Sequence, residues 1–126
     1  MLNRVELIGK LLDNPDFKEL DSGNAVANLT LVTWKYINKS DGSVEKIKTK
    51  HKVVCWGDRA RKANKELKAG DLIYIDGEIV KNIVEKEDAN GEKIFLTFVK
   101  VKANLIKRIQ KAEEYSPQAS TTPKNK

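Results

Sequence analysis

Between Lys46 and Trp56 the chain reads Lys-Ile-Lys-Thr-Lys-His-Lys-Val-Val-Cys-Trp. An ammonium group at every second position, followed by an indole, can hold a polyanion and stack a flat ring beside it. With the period of two that a strand imposes, Lys46, Lys48, Lys50, Lys52, Val54 and Trp56 share one face. Ile47, Thr49, His51, Val53 and Cys55 share the other, which reads as a core face. The four lysines are therefore candidate phosphate ligands, and Trp56 is a candidate base-stacking platform. The plainer reading of the lysines is an edge strand guarded against aggregation. The plainer reading of Trp56 is a core or interface tryptophan. The lysines that share its face favour stacking.

Other chemistries find little support. His51 is the only histidine and Cys55 the only cysteine. Four residues apart on one strand face, they lie about 13 Å from each other, too far to form a nucleophile pair. A single cysteine also excludes an intramolecular disulfide and a cysteine metal cage. Glu85, Glu87, Asp88 and Glu92 cluster near a turn and read as solubilising charge, so no metal site is expected. No nucleophile, base or metal-ligand set emerges, so neither an enzyme nor a cofactor is expected.

The strand that holds these residues needs a frame. The 126 residues suffice for one domain and a short tail. Of these, 33% are charged and the formal net charge is +6, which suits an anionic partner. No apolar run approaches a membrane span, and the chain opens on a strand pattern rather than a signal peptide.

Residues 4–12 form an apolar strand interrupted by Gly9, followed by the turn Asp13-Asn14-Pro15-Asp16. Phe17 to Leu20 is a short strand candidate. Residues 25–37 form the longest one, with Ala25, Ala27, Leu29, Leu31 and Thr33 on one face. Val26, Asn28, Thr30, Val32, Trp34 and Tyr36 occupy the other, which makes Trp34 and Tyr36 further stacking candidates or packing under a hairpin. Ser40-Asp41-Gly42-Ser43 closes a hairpin onto the lysine strand.

Asp58 is the expected N-cap of a short helix, and Gly70 the left-handed residue after its end. Arg59, Arg61, Lys62 and Lys65 on that helix read as a solvated face. Residues 71–81 alternate again, with a second mid-strand glycine at Gly77. Asn90-Gly91 marks a tight hairpin turn, and residues 92–106 return as a strand. The pattern fails from about Lys107, which sets a domain over 1–108 and a disordered tail over 109–126. Five strands with one short helix between the third and fourth is the order of the oligonucleotide/oligosaccharide-binding (OB) barrel, all-β and Greek-key. An open sandwich fits the pattern as well.

Four stretches resemble the bacterial-type single-stranded DNA-binding protein family over residues 2–106. They are Leu2 to Gly9, Asp21 to Leu31, His51 to Gly57 with the helix up to Gly70, and Leu72 to Ile79. The resemblance implies an OB barrel, assembled as a homotetramer, that coats single-stranded DNA without sequence preference. It implies service in replication, repair and recombination and a bacterial, plasmid or phage origin, while the missing signal peptide and membrane span place the protein in the cytoplasm. It places Trp56 at a base-stacking position and His51 near a subunit contact. Lys50 stands where the family usually has a tryptophan. The family's hairpin tryptophan is missing around Ile83 to Lys86. Trp34 and Tyr36 lie slightly ahead of the family's other stacking tryptophan. The usual acidic tail that recruits replication and repair proteins is replaced by the basic Thr122-Pro123-Lys124-Asn125-Lys126. An OB module that binds other replication proteins, with weak nucleic-acid affinity, is the alternative. An RNA-binding OB domain stays open too, since nothing in the sequence reads a 2′-hydroxyl.

Overall fold

The structure is a computed structural model that describes residues 1–112. Its elements run β1 (Val5–Leu11), β2 (Asp16–Glu19), β3 (Ala25–Asn38), β4 (Val44–Trp56), α1 (Gly57–Glu66), β5 (Leu72–Glu87) and β6 (Lys93–Gln110). Each strand forms where apolar residues alternate with polar ones, and each break falls on a turn sequence. The sheet order is β1-β5-β6-β4-β3-β2, and an extra β1–β3 pairing closes it into a ring. β1 pairs with β3 at Lys10↔Val32 and Leu11↔Leu31, and β2 continues along the same edge from Asp16↔Asn28. β1 and β2 are thus two segments of one strand, and the barrel has five strands. Closure removes the free edges that an open sandwich would leave.

The core face of β3 is the expected one: Ala25, Ala27, Leu29 and Leu31 are buried. They meet Val53 and Cys55 of β4, Ile73 and Ile75 of β5, Val101 and Ala103 of β6, and Ala60 and Ala63 of α1. The two mid-strand glycines sit where strands cross most closely. A Cβ on Gly9 would stand 2.4 Å from the Val32 carbonyl oxygen, and one on Gly77 would stand 2.1 Å from that of Lys102. The β5–β6 register also shifts between Asp76 and Gly77, so a bulge bends the sheet there.

Four local expectations are corrected. The helix starts straight after the strand: Gly57 turns the corner at φ +67°, and extended Trp56 is its cap residue. Asp58 lies inside the first turn and accepts a hydrogen bond from Arg61 at 2.8 Å, so it is not the cap. Gly70 does take a positive φ, but the helix has already ended. Gly70 instead serves a turn in which Asp71 N–H donates to the Lys68 carbonyl at 3.0 Å and its own N–H donates to Leu11. The last strand continues past residue 106 to Gln110, because Ile73↔Arg108 and Leu72↔Gln110 still pair with β5. The expected tail from residue 113 onward lies outside the described residues. Val54, placed on the lysine face, is buried, because β4 meets β6 there at Val54↔Lys102.

Both long hairpins project beyond the closed barrel and end in similar loops. Gly42 and Gly91 have positive φ, and the N–H of each donates back to Lys39 and Asp88 respectively. In the second loop Asn90 keeps a negative φ, so the turn is wider than the two-residue one that Asn-Gly suggests.

Candidate nucleic-acid interface

The β3–β4 register brings the candidate residues onto one outer surface. Trp34 lies opposite Lys48, Tyr36 opposite Lys46, Val32 opposite Lys50, and Thr30 opposite Lys52. Residues opposite one another in an antiparallel pair point to the same side. The lysine row and the two aromatics therefore form one continuous face on the projecting hairpin. Trp34 and Tyr36 are not sealed beneath the hairpin: their fractional exposures are 37% and 64%.

Lys46 links the two kinds of residue. Its Nζ lies 4.8 Å from the centre of the Trp34 ring and 6.0 Å from that of Tyr36. Lys10 of β1 approaches Trp34 to 5.7 Å. The indole thus has two ammonium groups near it. A base stacking on Trp34 would displace Lys46 sideways, where it can take a phosphate.

The lysines of β4 have no carboxylate among the described residues to neutralise them. Among the described residues, Lys39 pairs with Glu45, Lys93 with Glu85, and Arg4 with Asp76, but no ion pair involves Lys46, Lys48, Lys50 or Lys52. Lys52 only donates to the Thr30 hydroxyl, at 3.2 Å. Neighbouring lysines of the row are about 7 Å apart, within the Debye length of about 8 Å at physiological salt. Their mutual repulsion is therefore felt, and a bound polyanion would relieve it.

Trp56 shares this face but stands apart from the other aromatics. Its partner across β3 is Val26, and eight strand positions separate it from Lys48, about 27 Å along the strand. The residue is 42% exposed. His51 is on the opposite side, half-buried, with Nε2 hydrogen-bonded to Thr33 Oγ1 at 2.8 Å. It takes no part in the lysine face. Cys55 is buried, and burial pushes its thiol up to about 11.

Two contributors escaped the sequence reading. The parallel β4–β6 pairing puts Lys102 beside Val54 on the outer face. Lys100 lies on that face also, and its Nζ reaches Asn28 Oδ1 at 3.3 Å. The signal was present: Lys100 and Lys102 alternate with buried Val101 and Ala103, just as the β4 lysines alternate with core residues. That β6 would lie beside β4 was not visible.

A second polar cluster lies on the outer side of β1 and β5. Arg4 donates to both carboxylate oxygens of Asp76, at 3.2 and 2.9 Å, and Tyr74 donates to Glu6 at 2.6 Å. The Asp76 hydrogen bond and charge hold the Arg4 guanidinium above its usual range, and the Glu6 carboxylate holds the Tyr74 proton in place. All of these groups are satisfied by one another. Nothing in the cluster is poised for proton transfer.

The chain matches the model of the single-strand binding protein family over residues 2–107. The chain belongs to that family. A relative named single-stranded DNA-binding protein 1, from Chlorobaculum tepidum, is 33% identical over 96 residues, covering 76% of this chain and 59% of the relative. The wild-type single-stranded DNA-binding protein of Thermus aquaticus superposes with a TM-score of 0.71 at 27% identity, over 86% of this chain and 50% of that one. The Plasmodium falciparum SSB in complex with ssDNA superposes with a TM-score of 0.69 at 22% identity, over 87% of this chain and 95% of that one. The chain thus spans roughly half to three-fifths of the two bacterial relatives. The family's OB barrel, expected from strand order, is the observed fold.

Proposed function

We propose that this protein binds single-stranded DNA without sequence preference and coats it during replication, repair and recombination. The observation that supports this best is the unneutralised lysine row of β4 running beside Trp34 and Tyr36 on one exposed face. Lys46, Lys48, Lys50 and Lys52 track the phosphates, joined by Lys100 and Lys102. Trp56, Trp34 and Tyr36 stack bases. None of these contacts reads a base edge, which accounts for the lack of sequence preference. The protein acts by binding, not by catalysis.

The working form is a homotetramer in the cytoplasm or an equivalent compartment, with His51 near a subunit contact. The binding domain comprises the barrel through the end of β6 at Gln110. No helix among the described residues is long and apolar enough to cross a membrane. Tryptophan fluorescence titration with oligo(dT) at low salt tests the binding: quenching is expected, and its absence refutes stacking. Light scattering after size exclusion, with and without poly(dT), tests the tetramer.

A further inference from the structure

On sequence the cations of α1 read as one solvated face, but the structure divides them. Arg61 turns toward β2 and its turn: it binds Asp58 and the Gly23 carbonyl, each at 2.8 Å, and approaches Glu19. Arg59 and Lys62 instead line the side of the helix that faces residues of β6.

A groove runs there and begins at Trp56. Its near part, about 420 Å³, is lined by Trp56, Asp58, Arg59, Lys62, Leu105 and Ile106. Its far part, about 330 Å³, shares Arg59, Lys62 and Ile106 and adds Lys107, Arg108 and Glu66 among its walls. Leu105 is exposed and Ile106 is half-buried, so the floor is apolar where it meets the indole.

The charges of the groove are unevenly occupied. Asp58 is already held by Arg61, and Arg108 is held by the Glu66 carbonyl and by Asp71. Among the described residues, no ion pair or hydrogen bond engages the side chains of Arg59, Lys62 or Lys107. That leaves three uncommitted cations facing one carboxylate, Glu66, along a groove that starts at a stacking candidate.

We propose that a single strand passing over Trp56 continues into this groove, with Arg59, Lys62 and Lys107 holding its phosphates. The inference rests on the single-stranded DNA reading and extends it: the strand does not end at the end of β4 but turns with the chain at Gly57. Apolar contact with Leu105 and Ile106 accepts any base, and the three cations accept any phosphate, so this part of the path also lacks sequence preference. An acidic polypeptide would need the same cations, but nothing in that reading calls for an exposed tryptophan at the groove's mouth.

The test compares the wild type with the triple variant Arg59→Ala/Lys62→Ala/Lys107→Ala on oligo(dT) of about 6 and about 16 nucleotides, within the site sizes of OB folds. The substituted side chains hold no other element in place, so thermal unfolding should be unchanged. For the longer strand, the slope of log affinity against log salt should be shallower by about 2, from about 0.7 per lost phosphate contact. For the shorter strand, which the lysine face accommodates, the slope should not change. An unchanged slope on the longer strand overturns the proposal. An unchanged slope together with lost binding of polyglutamate overturns it and assigns the groove to an acidic polypeptide. A wild type that binds neither length refutes the parent reading itself, so the two failures are distinguishable.

Discussion

Lys50 and Trp56 lie on the same face of β4 but differ in what they offer a single strand. Trp56 supplies a flat ring, and truncating it in Trp56→Ala should weaken oligo(dT) binding by about 1–3 kcal/mol, roughly 5- to 150-fold. Fluorescence anisotropy with labelled oligo(dT) measures that loss. Lys50 supplies charge at a position where the resemblance expects an aromatic. Lys50→Trp should exchange charge for stacking, lowering the salt slope by about 0.7 at similar low-salt affinity. An unaltered slope would remove Lys50 from the phosphate track. Cys55 offers neither charge nor stacking. Its thiol is raised from 9.0 to about 11 by burial, so the folded protein keeps the proton to higher pH than the unfolded chain does. The stability tied to that proton is therefore whole below pH 9.0 and lost as pH rises toward about 11. Melting temperature should fall across that window in the wild type, and the fall should be smaller in Cys55→Ala.

Individual residues act through elements that bring them together, and here those elements are two hairpins and the corners of a barrel. The alternation of β3 and β4 was legible because a strand sends neighbouring residues to opposite faces whatever surrounds it. The positions of the turns were legible because Asp, Asn and Gly favour them locally. The helix cap was misplaced because Asp58 looked like a cap, whereas the chain passes from β4 directly into α1 at Gly57. Gly77 and Gly9 looked like bends, and a bulge does sit at Gly77, but both also answer a demand for space against another strand. Gly77→Ala would drive a methyl into the Lys102 carbonyl and force β6 outward. It should cost about 3 kcal/mol, the upper end of ordinary overpacking. Urea unfolding measures it, and a loss well below 1 kcal/mol would mean that the barrel closes more loosely there.

For the molecule as a whole, the testable quantity is the number of phosphates neutralised. The β4 lysines alone give about four contacts and a salt slope near −2.8, so a tenfold rise in salt costs nearly three orders of magnitude in affinity. On a strand too short to reach the groove beside α1, Lys100 and Lys102 should bring the slope close to about −4, and Lys100→Ala/Lys102→Ala should return it toward about −2.8. Equilibrium titration across a salt series distinguishes these values. A double variant with the wild-type slope would show that the β6 lysines lie off the path. A barrel closed by non-local pairing folds more slowly than a helical bundle of this length, but it holds residues from β3, β4 and β6 in one rigid surface.

What the sequence by itself determined is what one strand settles alone: the lysine row, the tryptophan at its end, the core face behind them, and the order of strands and helix that matches an OB barrel. These follow from a two-residue repeat and from turn chemistry, both local. The tertiary structure decided which strands became neighbours. The Val53↔Val101 and Val54↔Lys102 pairings set Lys100 and Lys102 beside β4. The β3–β4 register placed Lys46 over Trp34, and the placing of α1 opposite β6 left the groove beside Trp56. Such contacts join residues dozens of positions apart. Their free energy depends on shape and closure across the whole barrel, to which no local pattern in the chain is sensitive.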